Sequence, residues 1–187
     1  MIDPVIQYLI SASASLLFLI AGMHKLANLA EFQDIIDNYR LLPTSLTKVA
    51  VLLLGMTEIT LCVGWLVTQS ALIPLLSAAL IGIYTLSISI NLFRGRDYID
   101  CGCSFSKFDK LLNQTTNPHL SFGLVIRNFA LIGLMLLSIL PANSRILGTL
   151  DYLSMFFSLL CIVLVYAAAN QLLRNNNAIN SWRNVSE

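Results

Sequence analysis

The fold class this sequence predicts is all-α: a polytopic membrane bundle of about five transmembrane helices, with an amphipathic interfacial helix between the first two. Three observations carry the prediction. Of the 187 residues, 57% are hydrophobic and only 11% charged, less than half the roughly 25% charge of a soluble domain. The apolar residues come in long blocks, five of which approach the roughly 20 residues a helix needs to cross the hydrocarbon. The one polar-faced periodic segment sits between the first two blocks. One transmembrane domain, residues 1–172, is expected, followed by a polar tail, residues 173–187, read as frayed because it is Asn-rich.

The first span is expected over Val5–Met23. Its start, MIDPVIQYLISASASLLFLI, has Asp3 as its only charge, so it lacks the positive region of a cleavable signal and reads as a retained helix. Next comes LANLAEFQDIIDNYRLLP. Leu29, Phe32, Ile35, Ile36, Tyr39 and Leu42 recur at three- and four-residue spacing, with Glu31, Asp34 and Asp37 between them. That pattern is an amphipathic helix, and beside a membrane it lies in the interface; Pro43 ends it. The second span is expected over Leu46–Val67, interrupted by Glu58, and the third over Leu72–Phe93. The fourth covers Phe122–Leu140, with Arg127 and Asn128 near its start, and the fifth Thr149–Asn170. Pro74 and Pro141 fall near helix ends, where a missing N–H costs little.

Loop charge orients the bundle. With five spans, Lys25, Arg40, Lys48, Arg94, Arg96, Lys107, Lys110, Arg174 and Arg183 share one face; the other has only Arg145. The bias predicts a multi-pass protein of the bacterial inner membrane with the N-terminus outside. The C-terminus and the Arg94–Leu120 loop then face the cytoplasm. A net charge of +1 gives no reason to expect a nucleic-acid partner, and four cysteines are too few for a secreted disulfide scaffold.

That loop contains YIDCGCSFSKF. Cys101 and Cys103 are one glycine apart, and Gly102 allows the backbone to tighten until the sulfurs come within bonding range. The small ring is strained and easily reduced, which suits an exchanging disulfide. Arg94, Arg96, Lys107 and Lys110 favour the thiolate while Asp97, Asp100 and Asp109 oppose it. Two incidental loop cysteines are the bland alternative. His24 and His119 match no zinc spacing, so no metal site is expected.

Glu58, midway through a span, is costly there and calls for a partner or a task. Lys25 and Arg127 are the candidate partners, and Cys62 lies one turn further on the same face. Arg127 either snorkels to the interface or holds Glu58, a headgroup, a quinone or a thiolate. Lys25 reads as an interfacial anchor and His24 as an interfacial residue or proton donor. Cys62 and Cys161 read as small core residues.

Taken in order, AGMHKLANLAEF, YRLLP, GMTEITLCVGW, DCGCSF and VIRN resemble the MauE family within the DoxX-like membrane proteins. The resemblance covers about Val5–Leu140 and extends more weakly into the fifth span. It implies a membrane protein of methylamine utilisation that helps the disulfide-rich small subunit of methylamine dehydrogenase to mature, alongside a thioredoxin-like protein. Relatives outside methylamine pathways are called redox-associated membrane proteins. On this resemblance Cys101 and Cys103 are the exchanging pair of a thiol–disulfide oxidoreductase, supported by Gly22, Lys25, Glu58, Gly102, Arg127 and Asn128. Where the family pattern has an aromatic and then a small residue after the second cysteine, this chain has Ser104 and Phe105. The competing readings are a DoxX-like membrane subunit or scaffold without enzyme activity, and a quinone-coupled thiol oxidoreductase.

Overall fold

The computed structural model describes residues 2–40, 43–68, 70–95, 122–141, 143, 145 and 147–185, with side chains described as far as residue 172. Among these residues the chain forms six helices: α1 (Pro4–Ala27), α2 (Leu29–Tyr39), α3 (Thr44–Val67), α4 (Leu72–Phe93), α5 (Phe122–Leu137) and α6 (Thr149–Val185). α1, α3, α4 and Thr149–Leu172 of α6 are long and apolar enough to cross a membrane; α5 is apolar but has 16 residues. At about 1.5 Å per residue it spans about 24 Å. It stops at Leu137, short of the predicted Leu140, and residues 138–140 continue as turns.

Local chemistry sets the other boundaries. Asp3 caps α1 by accepting from the Val5 N–H (2.9 Å), and Pro4 occupies the first turn. α1 runs on to Ala27, one turn past the predicted Met23, so His24 and Lys25 are helical. Arg40 ends α2 in the left-handed conformation (φ 49°), and Gly95 (φ 67°) follows α4, where a residue without Cβ turns the chain cheaply. α6 is helical to Val185, so the C-terminal segment is helix rather than the frayed tail its composition suggested.

The bundle has two distinguishable ends. At the near end, where α1 begins, Ile2 exchanges backbone hydrogen bonds with Pro141 and Asn143, and Gln7 donates to the Ser138 carbonyl. Arg145 bridges Asp3 and Asp151 there. At the far end α1 gives way to α2, which packs Phe32 and Tyr39 inward and leaves Glu31 and Asp34 exposed, as its periodicity requires. Tyr39 joins Ile88, Leu124 and Val125 in a small apolar cluster that ties α2 to α4 and α5.

The main core lies between α1, α3, α4 and α5, where Phe18, Leu61, Cys62, Trp65, Ile81 and Met135 interlock. α1 and α3 are antiparallel and in close contact. Ser11 donates to the Trp65 carbonyl, and Ser15 meets both the carbonyl and the sulfur of Cys62. A Cβ on Gly22 would come within 2.9 Å of Ile59 and 3.1 Å of the Gly55 carbonyl; one on Gly55 would stand 2.8 Å from Leu26. Small residues at such a crossing are what lets membrane helices approach backbone to backbone. No residue of α6 between 149 and 172 is buried. Cys161 is accordingly exposed on that helix and is not the core residue its apolar surroundings implied, whereas Cys62 is core.

Candidate functional site

The Gly22–Gly55 crossing positions the most costly pair in the bundle. Lys25 lies three residues beyond Gly22 and Glu58 three beyond Gly55, so each falls on the contact face of its own helix. Side chains tilt toward a helix's N-terminus. In antiparallel helices this sends Lys25 inward from the far end and Glu58 back toward it, and the two meet. Lys25 Nζ lies 2.6 Å from Glu58 Oε1, and the Tyr84 hydroxyl of α4 donates to the same oxygen at 2.7 Å. Lys25 is therefore an inward-reaching partner of Glu58, correcting its reading as an interfacial anchor.

Two rings surround the ammonium. Nζ lies 5.1 Å from the Tyr84 ring centroid and 5.6 Å from that of Phe32, cation–π contacts that offset part of the lost hydration. Phe32 also meets the His24 ring edge-on at 5.3 Å. The interfacial helix α2 thus contributes directly to the site. Glu58 is 1% exposed. Its Oε1 has two partners, and its Oε2 has none among the described residues.

Arg127 supplies a second cationic group from α5. It donates to Asn170 Oδ1 (2.7 Å) and Asn128 Oδ1 (3.1 Å), and its guanidinium carbon stands 5.8 Å over the Tyr166 ring. These contacts hold it inside the bundle and tie α5 to α6, so it does not simply snorkel. Glu58 is held by Lys25 and Tyr84 rather than by Arg127.

A cavity of about 110 Å³ joins the two groups. Its polar wall carries His24, Lys25, Glu58, Tyr84, Arg127, Asn128 and Tyr166; Leu17, Phe18, Ile20, Ala21, Ile81 and Leu131 make the rest. Five residues from three separated stretches of sequence, His24 and Lys25, Glu58, and Arg127 and Asn128, thus line one space. Tyr84, Tyr166 and Asn170 escaped the sequence reading, and Phe32 was read only as part of the apolar face of α2. The available signal was a tyrosine or asparagine in an apolar span, whose polar tip needs a partner when buried. Cys62 faces α1 through Ser15 and is not part of the cavity wall. Cys101, Gly102 and Cys103 lie outside the described residues, as do Leu42 and His119. No cluster of three or more His, Cys, Asp or Glu side chains occurs among the described residues.

Fold and site together define a multi-pass helical membrane protein whose polar groups converge on an internal cavity near one end. A family model, Methylamine utilisation protein MauE, matches residues 3–141, from the cap of α1 to just past α5. The chain belongs to the MauE family. It is 34% identical over 137 residues to the methylamine utilization protein MauE of Paracoccus denitrificans, covering 73% of this chain and 69% of that one. To the protein of the same description from Paracoccus versutus it is 31% identical over 173 residues (91% and 88%). To that from Methylophilus methylotrophus it is 28% identical over 170 residues (90% and 86%). No solved structure matches the chain.

Proposed function

We propose that this protein serves methylamine utilisation, as the names of its relatives state for them, by carrying out thiol–disulfide exchange that helps a partner protein to mature. The observation that supports the reading is one of position. Gly95 and Phe122, which flank the segment bearing Cys101 and Cys103, both lie at the far end of the bundle, and α4 and α5 there supply Tyr84, Arg127 and Asn128 to the cavity. In the proposed chemistry one cysteine thiolate attacks a partner disulfide, forming a mixed disulfide and releasing a partner thiolate. The second cysteine then attacks the mixed bond. The products are a Cys101–Cys103 disulfide and a partner dithiol, and a thioredoxin-like protein returns the pair to the dithiol.

The orientation belongs to the same proposal. Lys25, Arg40, Lys48 and Arg94 sit toward the far end and Arg145 toward the near end, so the positive-inside rule assigns the far end to the cytoplasm of an inner membrane.

Membrane-impermeant maleimide labelling in intact cells and inverted vesicles tests both parts. Cys101 and Cys103 are expected to label in inverted vesicles after reduction only, and Cys103→Ser to accumulate a mixed disulfide with a partner. Unreactive cysteines, dispensable for growth on methylamine, would remove the redox reading. They would favour a membrane subunit without enzyme activity, for which α6, with no buried residue from 149 to 172, offers a packing surface.

A further inference from the structure

We propose that the far half of the α6 span is a movable leaf, hinged at the near end and latched on Arg127, that closes the cavity toward the lipid. α6 differs from the other spanning helices. α1, α3, α4 and α5 each bury residues in the core, whereas nothing in α6 is buried between residues 149 and 172. Moving it unpacks no core side chain, and segments with few buried contacts are the ones that open most readily.

The half of α6 that borders the cavity is latched by two side chains. From Leu160 to Leu172 every residue is exposed except Tyr166 and Asn170. These stand four apart, on one face of the helix, and both meet Arg127. Asn170 Oδ1 accepts from the guanidinium at 2.7 Å, and the Tyr166 ring lies 5.8 Å from the guanidinium carbon. Tyr166 is also what α6 contributes to the cavity wall among the described residues, beside Leu17, Ile20 and Ala21 of α1 and Leu131 of α5. α6 touches both of those helices, so it lies over the seam between them. Its remaining surface is exposed, and around a spanning helix that surrounding is lipid. Lifting Tyr166 away therefore joins the cavity to the bilayer.

The near end is the fixed one. There the chain itself links α5 to α6, Ile2 pairs with Pro141 and Asn143, and Asp151 accepts from Arg145 at 2.7 Å and from the Gly148 N–H at 2.8 Å. From Thr149 to Asn170 the axis is about 32 Å long at about 1.5 Å per residue. A tilt of about 10° at the near end then carries Asn170 by about 5 Å, enough to part it from Arg127, and spanning helices tilt over roughly 0–40°.

The test uses the full chain in lipid nanodiscs, with 3-fluorotyrosine in place of tyrosine and dissolved oxygen, which concentrates in the hydrocarbon, as the probe. Fluorine NMR reads the broadening of each tyrosine; Tyr166→Phe assigns the Tyr166 signal, and the exposed Tyr152 near the hinge is the internal reference. In the wild type Tyr166 is expected to broaden less than Tyr152. Asn170→Leu should raise the broadening of Tyr166 relative to Tyr152 at least about threefold, since one charged hydrogen bond supports a roughly tenfold change in the ratio of open to closed leaf. Asn170→Asp sets a carboxylate against Arg127 and should not raise it, a contrast that structural damage at position 170 would not produce. Unchanged Tyr166 broadening in folded Asn170→Leu, or equal increases in the two variants, would overturn the latch. The hinge is read by spin-label distances in cysteine-free protein carrying Asn170→Leu, with labels at the exposed positions Met23 and Leu172 for the far end and Ile6 and Leu153 for the near end. The far-end distance should broaden and the near-end distance stay narrow; any other pattern would overturn the hinge.

Discussion

Replacing Lys25 with methionine tests the energetic argument for the Lys25–Glu58 pair. The substitution keeps most of the side-chain volume and removes the charge 2.6 Å from Glu58 Oε1. Breaking a buried pair from one side typically costs about 3–5 kcal/mol, because the other charge is left uncompensated. The deficit of Lys25→Met against wild type should therefore be about 3–5 kcal/mol at pH 7.

The reverse substitution should cost less. Lys25 lies in the last turn of α1 and is 13% exposed, whereas Glu58 is 1% exposed and about 21 Å along α3 from Thr44. Freed of its partner, the long lysine can swing out to the interface; the short glutamate cannot. Glu58→Gln should then cost about 1–2 kcal/mol, near the price of lost hydrogen bonds. The double variant should cost about 2–3 kcal/mol, less than Lys25→Met alone, giving a coupling of about 3 kcal/mol. The assay is reversible unfolding in mixed micelles followed by far-ultraviolet circular dichroism. A Lys25→Met deficit under about 1 kcal/mol at pH 7, or equal costs for the two single variants, would refute the reasoning.

Five further substitutions have expected outcomes. Gly55→Val should destabilise by about 1–3 kcal/mol, since even a Cβ there meets Leu26 at 2.8 Å. Gly82→Ala, with nothing within 4 Å, should be neutral or gain up to about 1 kcal/mol in the same unfolding assay. Asn170→Leu removes the Arg127 contact that ties α5 to α6, a charged hydrogen bond worth about 1.5–3 kcal/mol. Distances between spin labels on those helices should broaden while the α1–α3 distances stay narrow. At the near end Asp3→Ala should cost about 1 kcal/mol through the lost α1 cap. Arg145→Ala should stay within about 0.5 kcal/mol, its ion pairs being solvent-facing, and thermal unfolding distinguishes the two.

How much of this was legible depends on the physics each feature obeys. The spans, the interfacial helix and the cost of Glu58 could be read because lipid imposes one-dimensional rules: apolar length, periodicity of 3.6 and rarity of charge. The ends of α1 and α5 were misplaced by three or four residues because hydropathy fades gradually, whereas helices stop where caps and turns form. Cys161 misled because an apolar neighbourhood does not distinguish a core from a lipid-facing surface: both are apolar in a membrane protein. Composition likewise hid the helix that runs to Val185.

By itself the sequence determined that this chain is a multi-pass helical membrane protein, and its ordered motifs pointed to the MauE family. It also marked Glu58 as a costly residue needing a partner or a task and offered Lys25 and Arg127 as the candidate partners. Only the tertiary structure decided the pairing. Lys25 or Arg127 could have answered Glu58, and the choice follows from a glycine crossing that brings α1 and α3 together with their side chains tilted toward each other. It also decided that Tyr84, Phe32 and Tyr166, from three other helices, complete the surroundings of the two cations. Such convergence depends on helix packing in three dimensions, which no spacing along one chain encodes.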